Sequence, residues 1–205
     1  MNQADQALSD YQRLRRYVLA LLIGIIGIVL VFGDSSQDES IHERIEWLGQ
    51  MLMFVGIGGR LWSTLYIGGR KSSEIVQTGP YSMTRNPLYL FSSIAAAGVG
   101  AQMGSIIAMI GFAVMCWAAF SLVIKREEAY LSGKMGQSYQ DYLDRVPRFF
   151  PNPSLYRDTE EVTFRPAMLR RTLRDGFAFF LAVPAFETIE YLQHAGVIPV
   201  LFHLW

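Results

Sequence analysis

GSIIAMIGFAVMCWAAFSLVI occupies residues 104–124 and carries no charged side chain. As a helix it is about 31 Å long, close to the hydrocarbon thickness of a bilayer. A helix on a soluble domain shows one apolar stripe, whereas this segment is apolar on every side. Residues 17–33 (YVLALLIGIIGIVLVFG) are equally uncharged. Residues 45–68 hold only Glu46 and Arg60, and residues 176–205 only Glu187, Glu190 and two histidines, among charged or imidazole groups. The 205-residue chain is 51% hydrophobic, with 18 Lys+Arg balanced by 18 Asp+Glu, so the distribution of charge decides the class and the totals do not. The expected fold is all-α: a polytopic helical membrane bundle in a single domain. Its expected membrane segments are 17–33, 45–68, 88–103, 104–124 and about 176–198.

The charges predict sidedness. Arg13, Arg15 and Arg16 precede the first span, and the 34–46 loop is acidic. Arg70, Lys71 and Arg85 lie in the next loop, ten Lys/Arg fall between 125 and 174, and none follows Arg174. The positive-inside rule then makes the N-terminus and segments 69–87 and 125–175 cytoplasmic, in a multi-pass protein of the inner (cell) membrane. The first span lacks a small-residue cleavage site behind it and reads as an anchor. Segments 88–103 and 104–124 read as a tight hairpin whose first arm is only about 24 Å long and tilts or thins the bilayer. Ala96, Gly100 and Gly104 recur at every fourth residue, which lets a neighbouring helix approach closely.

Two polar islands flank that hairpin. The first is TGPYSMTRNPLYL, residues 78–90. Gly79-Pro80 signals a turn, and Asn86-Pro87 a helix start with asparagine at the N-cap and proline at N1. The exposed N–H groups beside Arg85 suit an anion; a capped helix with a snorkelling arginine accounts for the same residues. The second island is KREEAYLSGKMGQSYQDYLDRVPRFFP, residues 125–151. Here Ser138 with Asp141 suggests a capping box opening a short helix that bears Tyr139, Tyr142 and Leu143 on one face and stops before Pro147. A solvated surface helix is one reading. The other is a cation site, since the carboxylates Glu127 and Glu128 attract positive charge and tyrosine faces bind it. Hairpin geometry brings both islands to one end of the bundle. Such a site suits a zwitterion with an added cationic centre, of which S-adenosylmethionine is an example.

Taken in order and spacing, these residues resemble the isoprenylcysteine carboxyl methyltransferase family and its bacterial relatives, a group related to the phospholipid N-methyltransferases. The matching positions are Gly79, Pro80, Tyr81, Arg85, Asn86, Pro87 and Tyr89, then Glu127, Glu128, Leu131, Gly136, Tyr139, Tyr142, Val146 and Pro147, with GRLW at 59–62 upstream. The likeness covers about residues 55–151. It implies an integral membrane methyltransferase using S-adenosylmethionine without a Rossmann fold, and no strand followed by GxGxxG occurs here. It also implies that the RNPxY loop and the paired glutamates surround the cofactor. Arg85 and the Asn86 helix start would hold the methionine carboxylate, the glutamates the amino group or ribose, and the tyrosines would shield the sulfonium. Asn86 departs from the histidine of the eukaryotic carboxyl methyltransferases; it can cap and hydrogen-bond but cannot carry charge or act as a base.

The expected activity is methyl transfer to a lipophilic or lipidated acceptor, a prenylcysteine-like carboxylate or another lipid carboxylate or amine. A carboxylate acceptor needs no base; an amine would need one, and Glu127 or Glu128 is nearest. The competing readings are an NADPH-dependent membrane reductase of sterol-reductase-like architecture and a non-catalytic scaffold. The single cysteine, Cys116, excludes a disulfide framework or a cysteine metal site. No metal site is expected: Glu187, Glu190 and His194 could share a helix face, but not at a ligand-pair spacing. Arg60 is expected to snorkel to the interface or to line the mouth of the site. RPAMLRRTLRD (165–175) reads as a basic helix on anionic lipid, not as a nucleic-acid site. Pro184 and Pro199 are expected to kink or end the C-terminal segment.

Overall fold

The computed structural model describes residues 28, 31–69 and 74–204. Most of the 17–33 segment, with Arg70 and Lys71, lies outside the described residues. The described chain is almost wholly helical. A short strand β1 (Gly33–Ser35) leads into the long helix α1 (Glu39–Ile67). A one-turn helix α2 (Pro80–Met83) precedes α3 (Pro87–Ala101) and α4 (Ile106–Met135). Then come α5 (Gln137–Arg145), a 3₁₀ turn at Pro153–Leu155, α6 (Pro166–Phe180), α7 (Ala182–His194) and β2 (Phe202–Leu204). The two strands pair in parallel, Gly33 opposite Phe202, and tie the two ends of the described chain together.

Helices α1, α3 and α4 form the frame. The close seam lies between α1 and α3, where small residues face each other. A Cβ on Gly98 would stand 2.5 Å from the Gly49 carbonyl oxygen, and one on Gly56 would stand 2.7 Å from the Ala95 backbone nitrogen. Backbone, not a movable side chain, fills the space, so only glycine permits the approach. Of the expected four-residue stripe, Gly100 serves the hairpin itself and meets the Ala108 carbonyl, while Gly104 is in the turn. Gly100 thus serves the α3–α4 hairpin, Gly104 faces His42 of α1, and the rest of the close α1 contact runs through Ala95, Gly98 and Ala101. Ser105 caps α4, its hydroxyl accepting from the Ala108 N–H at 3.3 Å.

Helix α4 is the one described helix long and apolar enough to cross a membrane, and little of its apolar stretch is buried. Ile107, Val114 and Leu122 on α4, with Trp47 and Phe54 on α1, lie 53–66% exposed. So wide an apolar belt suits lipid, not water. Instead of ending near residue 124, α4 runs on through Lys125–Met135, where good helix formers and the absence of proline outweigh the single Gly133. Gly136, in a positive-φ backbone, separates it from α5 and takes the boundary position expected of Ser138. The capping box does not form; Asp141 instead accepts from the Gln137 side chain. The segment expected at 176–198 is two helices broken at Leu181, with Pro184 accommodated in the first turn of α7.

Widening the α1–α3 seam is the direct test of this packing. Gly98→Val is expected to lower stability by about 1–3 kcal/mol or more, read as a depressed melting temperature in detergent, because neither backbone can yield.

Candidate active site

Where α3 begins and α4 leaves its apolar stretch, the chain encloses a cavity of about 220 Å³. Tyr81, Arg85, Asn86, Pro87 and Tyr89 line it from the first island, and Glu127, Glu128, Tyr139 and Tyr142 from the second. Arg60 reaches it from α1, and Ile75, Val76, Leu88, Leu131 and Met135 supply apolar wall. The two islands do meet.

Local chemistry explains how each group arrives. Gly79 stands at φ +58°, and a Cβ there would press 2.4 Å from the Tyr66 ring, so glycine is required to turn the chain into α2. Gly79 and Pro80 themselves do not line the cavity; they aim Tyr81 into it. Asn86 occupies the N-cap position of α3 and Pro87 the first helical turn, as expected. The Asn86 side chain, however, makes no capping bond: its amide donates to the Arg148 carbonyl at 2.9 Å. Adjacent bonds continue this seam. Arg85 N–H donates to the Pro147 carbonyl (2.9 Å), the Thr84 hydroxyl to the Phe149 carbonyl (2.9 Å), and Asn152 N–H to the Met83 carbonyl (2.9 Å). Residues 147–152 are thus stitched along the RNP loop.

Glu128 sits in the middle, 6% exposed. Its Oε2 receives Arg148 at 2.8 Å from Nη2 and 2.9 Å from Nε, and its Oε1 lies 3.1 Å from Arg85 Nε. Arg85 also donates through Nη1 to the Leu143 carbonyl (2.5 Å). The Arg85–Glu128 approach is close but poorly angled, and neither Arg85 Nε nor Glu128 Oε1 completes a hydrogen bond. Arg85 is therefore already ion-paired, not a free anion holder.

Tyr142 donates to the Tyr81 carbonyl at 2.8 Å, which joins α5 to the loop. Burial, reinforced by the Glu128 carboxylate, pushes the Tyr139 phenol up to about 12, and burial also raises Tyr81 and Tyr142. These phenols stay neutral at physiological pH and offer ring faces and O–H groups, not charge. Arg60 Nη1 donates to the Ser92 hydroxyl, while its Nε is buried without a hydrogen bond. Among the described residues five buried side-chain polar atoms lack a hydrogen-bond partner, and four of them (Arg60 Nε, Tyr81 Oη, Arg85 Nε, Glu128 Oε1) belong to residues lining this cavity. Arg85 Nε and Glu128 Oε1 face each other as an ion pair, so Arg60 Nε and Tyr81 Oη are the two that stand at the cavity with neither a hydrogen bond nor an ion pair of their own.

Reading the sequence assembled the two islands but missed Arg148, the second cation on Glu128; an arginine directly after Val146-Pro147, at the end of the second island, was the available signal. Glu187 and His194 are exposed on α7 and take no part here.

A family model described as phospholipid methyltransferase matches residues 45–138. The chain is 34% identical over 190 residues to the nickel-cobalt-cadmium resistance protein NccN of Alcaligenes xylosoxydans xylosoxydans, covering 87% of this chain and 84% of that one. It is 32% identical over 159 residues to protein-S-isoprenylcysteine O-methyltransferase of Schizosaccharomyces pombe, 67% of each chain. It is 30% identical to protein-S-isoprenylcysteine O-methyltransferase B of Arabidopsis thaliana, covering 67% of this chain and 74% of that one. No solved structure matches the chain.

Removing Glu128 strands Arg85, whose side chain is only 9% exposed. Glu128→Ala is expected to cost about 3–5 kcal/mol in an unfolding titration, and Arg148→Ala clearly less because that side chain is half exposed.

Proposed function

The chain belongs to the isoprenylcysteine carboxyl methyltransferase family of methyltransferase enzymes, and from that premise we propose that it moves a methyl group from S-adenosylmethionine to a lipophilic acceptor at the membrane surface. The observation that carries this reading is a cavity walled by tyrosines and carboxylates, with the buried Arg85–Glu128 pair and the Arg60 Nε and Tyr81 Oη atoms, which make no hydrogen bond, gathered on it.

The donor set fits such a cofactor. Glu127, with the Oε1 of Glu128 that makes no hydrogen bond, offers acceptors to an ammonium, and the tyrosine rings offer π faces to a sulfonium. Arg85 and the Asn86-Pro87 helix start remain the anionic pole's side of the pocket. Because Arg85 is held by Glu128 and Leu143, it acts as a fixed dipolar pair with Glu128, matched to a zwitterion, and needs no reorganisation on binding. S-adenosylmethionine, when bound, supplies an already activated methyl group. What remains for the protein is to hold the acceptor in line and keep water out. Arg60 sits on the α1 side of the cavity, deeper in the apolar frame than Arg85. Its unpartnered Nε suits the carboxylate of an acceptor whose chain lies in the bilayer. That favours an acid acceptor over an amine, and an ionised acid requires no general base. The charge asymmetry of the loops supports a multi-pass inner-membrane protein with this cavity on the cytoplasmic side.

In purified protein, S-adenosylmethionine is expected to bind and NADPH not to; tight NADPH binding with no response to S-adenosylmethionine would sink the reading. Glu127→Gln should weaken S-adenosylmethionine by about tenfold, the loss of one charge-assisted hydrogen bond. Arg60→Leu should raise the acceptor's KM by tenfold or more and leave cofactor affinity unchanged, measured as radiolabelled methyl transfer into host lipid extracts.

A further inference from the structure

The fifth unpartnered atom lies elsewhere. His42 Nε2 is buried and makes no hydrogen bond. It sits near the start of α1, roughly 37 Å along the helix from Ile67 at the active-site end. Two carboxylates face it. Glu46 Oε1, one turn on along α1, is 3.4 Å away, and Glu190 Oε1 of α7 is 4.0 Å away. One donor atom from each of the three residues lies within 4.8 Å of the others. A cavity of about 20 Å³ adjoins His42 and Glu190, bounded also by Asp34, Gln102 and Gln193. That is room for one water-sized occupant.

The surroundings hold these donors in place. The imidazole lies against Gly104, which turns the α3–α4 hairpin at φ +60°; a Cβ there would fall 2.1 Å from His42 Nδ1. The Gln102 amide donates to the Glu46 carbonyl (3.1 Å), fixing the turn of α1 that carries both ligands. The Gln193 amide donates to the carbonyls of Val31 (3.0 Å) and Gly33 (3.1 Å), which pins α7 one turn beyond Glu190. His42 Nε2 makes a long 3.4 Å ion-pair contact with Glu46 and faces a second carboxylate, Glu190, at 4.0 Å, beside an open position.

We propose that His42, Glu46 and Glu190 bind one divalent transition-metal ion of the zinc, cobalt or nickel class. One imidazole and two carboxylates form a borderline donor set that suits these ions. With bonds of about 2.1 Å, donors around a tetrahedral ion are about 3.4 Å apart. The His42–Glu46 edge already has that length, and Glu190 closes by a rotamer adjustment. The cavity side leaves the fourth position to water. Bound there, the ion clamps the first described helix to the last one and is separate from the methyl-transfer cavity.

Full-length protein in detergent, stripped with EDTA and titrated with cobalt and zinc, tests this. One ion per chain is expected, with a Kd below about 10 μM. His42→Gln and Glu190→Gln should each weaken binding tenfold or more while S-adenosylmethionine affinity stays unchanged. Zinc should also shield His42, and not His194, from diethyl pyrocarbonate, a readout on the wild-type protein that holds even if a variant fails to fold. No stoichiometric site, unchanged affinity in both variants, or no selective shielding of His42 would overturn the proposal.

Discussion

A carboxylate buried between two guanidinium groups governs the active-site end of this molecule. Glu128, 6% exposed, is met by Arg85 and Arg148, the partners a buried carboxylate requires. Each partner belongs to a different segment: the glutamate to a long apolar helix, Arg85 to the loop before the hairpin, and Arg148 to the stretch after α5. The pair energy of a buried bridge is modest once desolvation is counted, but breaking one is expensive. The arrangement therefore acts chiefly as a specificity device that permits one way of closing the loop over the helix. The seam of backbone and side-chain hydrogen bonds between residues 83–86 and 147–152 follows from that closure.

The same closure explains the electrostatics of the cavity. Charge is present but mutually held, and the tyrosines are kept neutral by burial, so the wall is polar without a large net field. A site of this kind discriminates by matching poles of opposite sign at fixed separations, which suits a ligand that carries both. The apolar residues Leu131, Met135, Ile75 and Val76 form the remaining wall of the cavity.

Much of this was legible in the sequence. Charge-free stretches predicted the helical frame, Asn86-Pro87 predicted where α3 starts, and the hairpin argument placed Glu127 and Glu128 beside Tyr81 and Tyr89. The shortfalls share a cause. The Asn86 side chain, expected to cap its own helix, reaches Arg148 some sixty residues on. Local propensity supplies the capping option, but tertiary closure offers the amide a better-placed carbonyl. Arg148 is not singled out by the sequence, because its partner, Glu128, lies twenty residues away, off any local pattern. Likewise the Gly49–Gly98 and Gly56–Ala95 contacts depend on the relative register of α1 and α3, which no single helix encodes. The pairing of His42 with Glu190 is of the same kind: α7 alone suggested Glu187 and His194 as Glu190's companions, and both point elsewhere.

The unbroken run of α4 from Ile106 to Met135 has a further consequence. The helix does not relax at the end of its apolar stretch, so the two glutamates inherit their orientation from residues packed four or five turns earlier. Each residue advances the helix by about 1.5 Å and 100°. Depth and bearing are thus a single variable along α4. An insertion or deletion anywhere between Ser105 and Glu127 would hardly change how far the carboxylates stand from the hairpin turn, yet would swing them round the axis and away from Arg85. The helix works as an indexed shaft, with its zero set by Ser105 and Gly104 at the far end of the molecule.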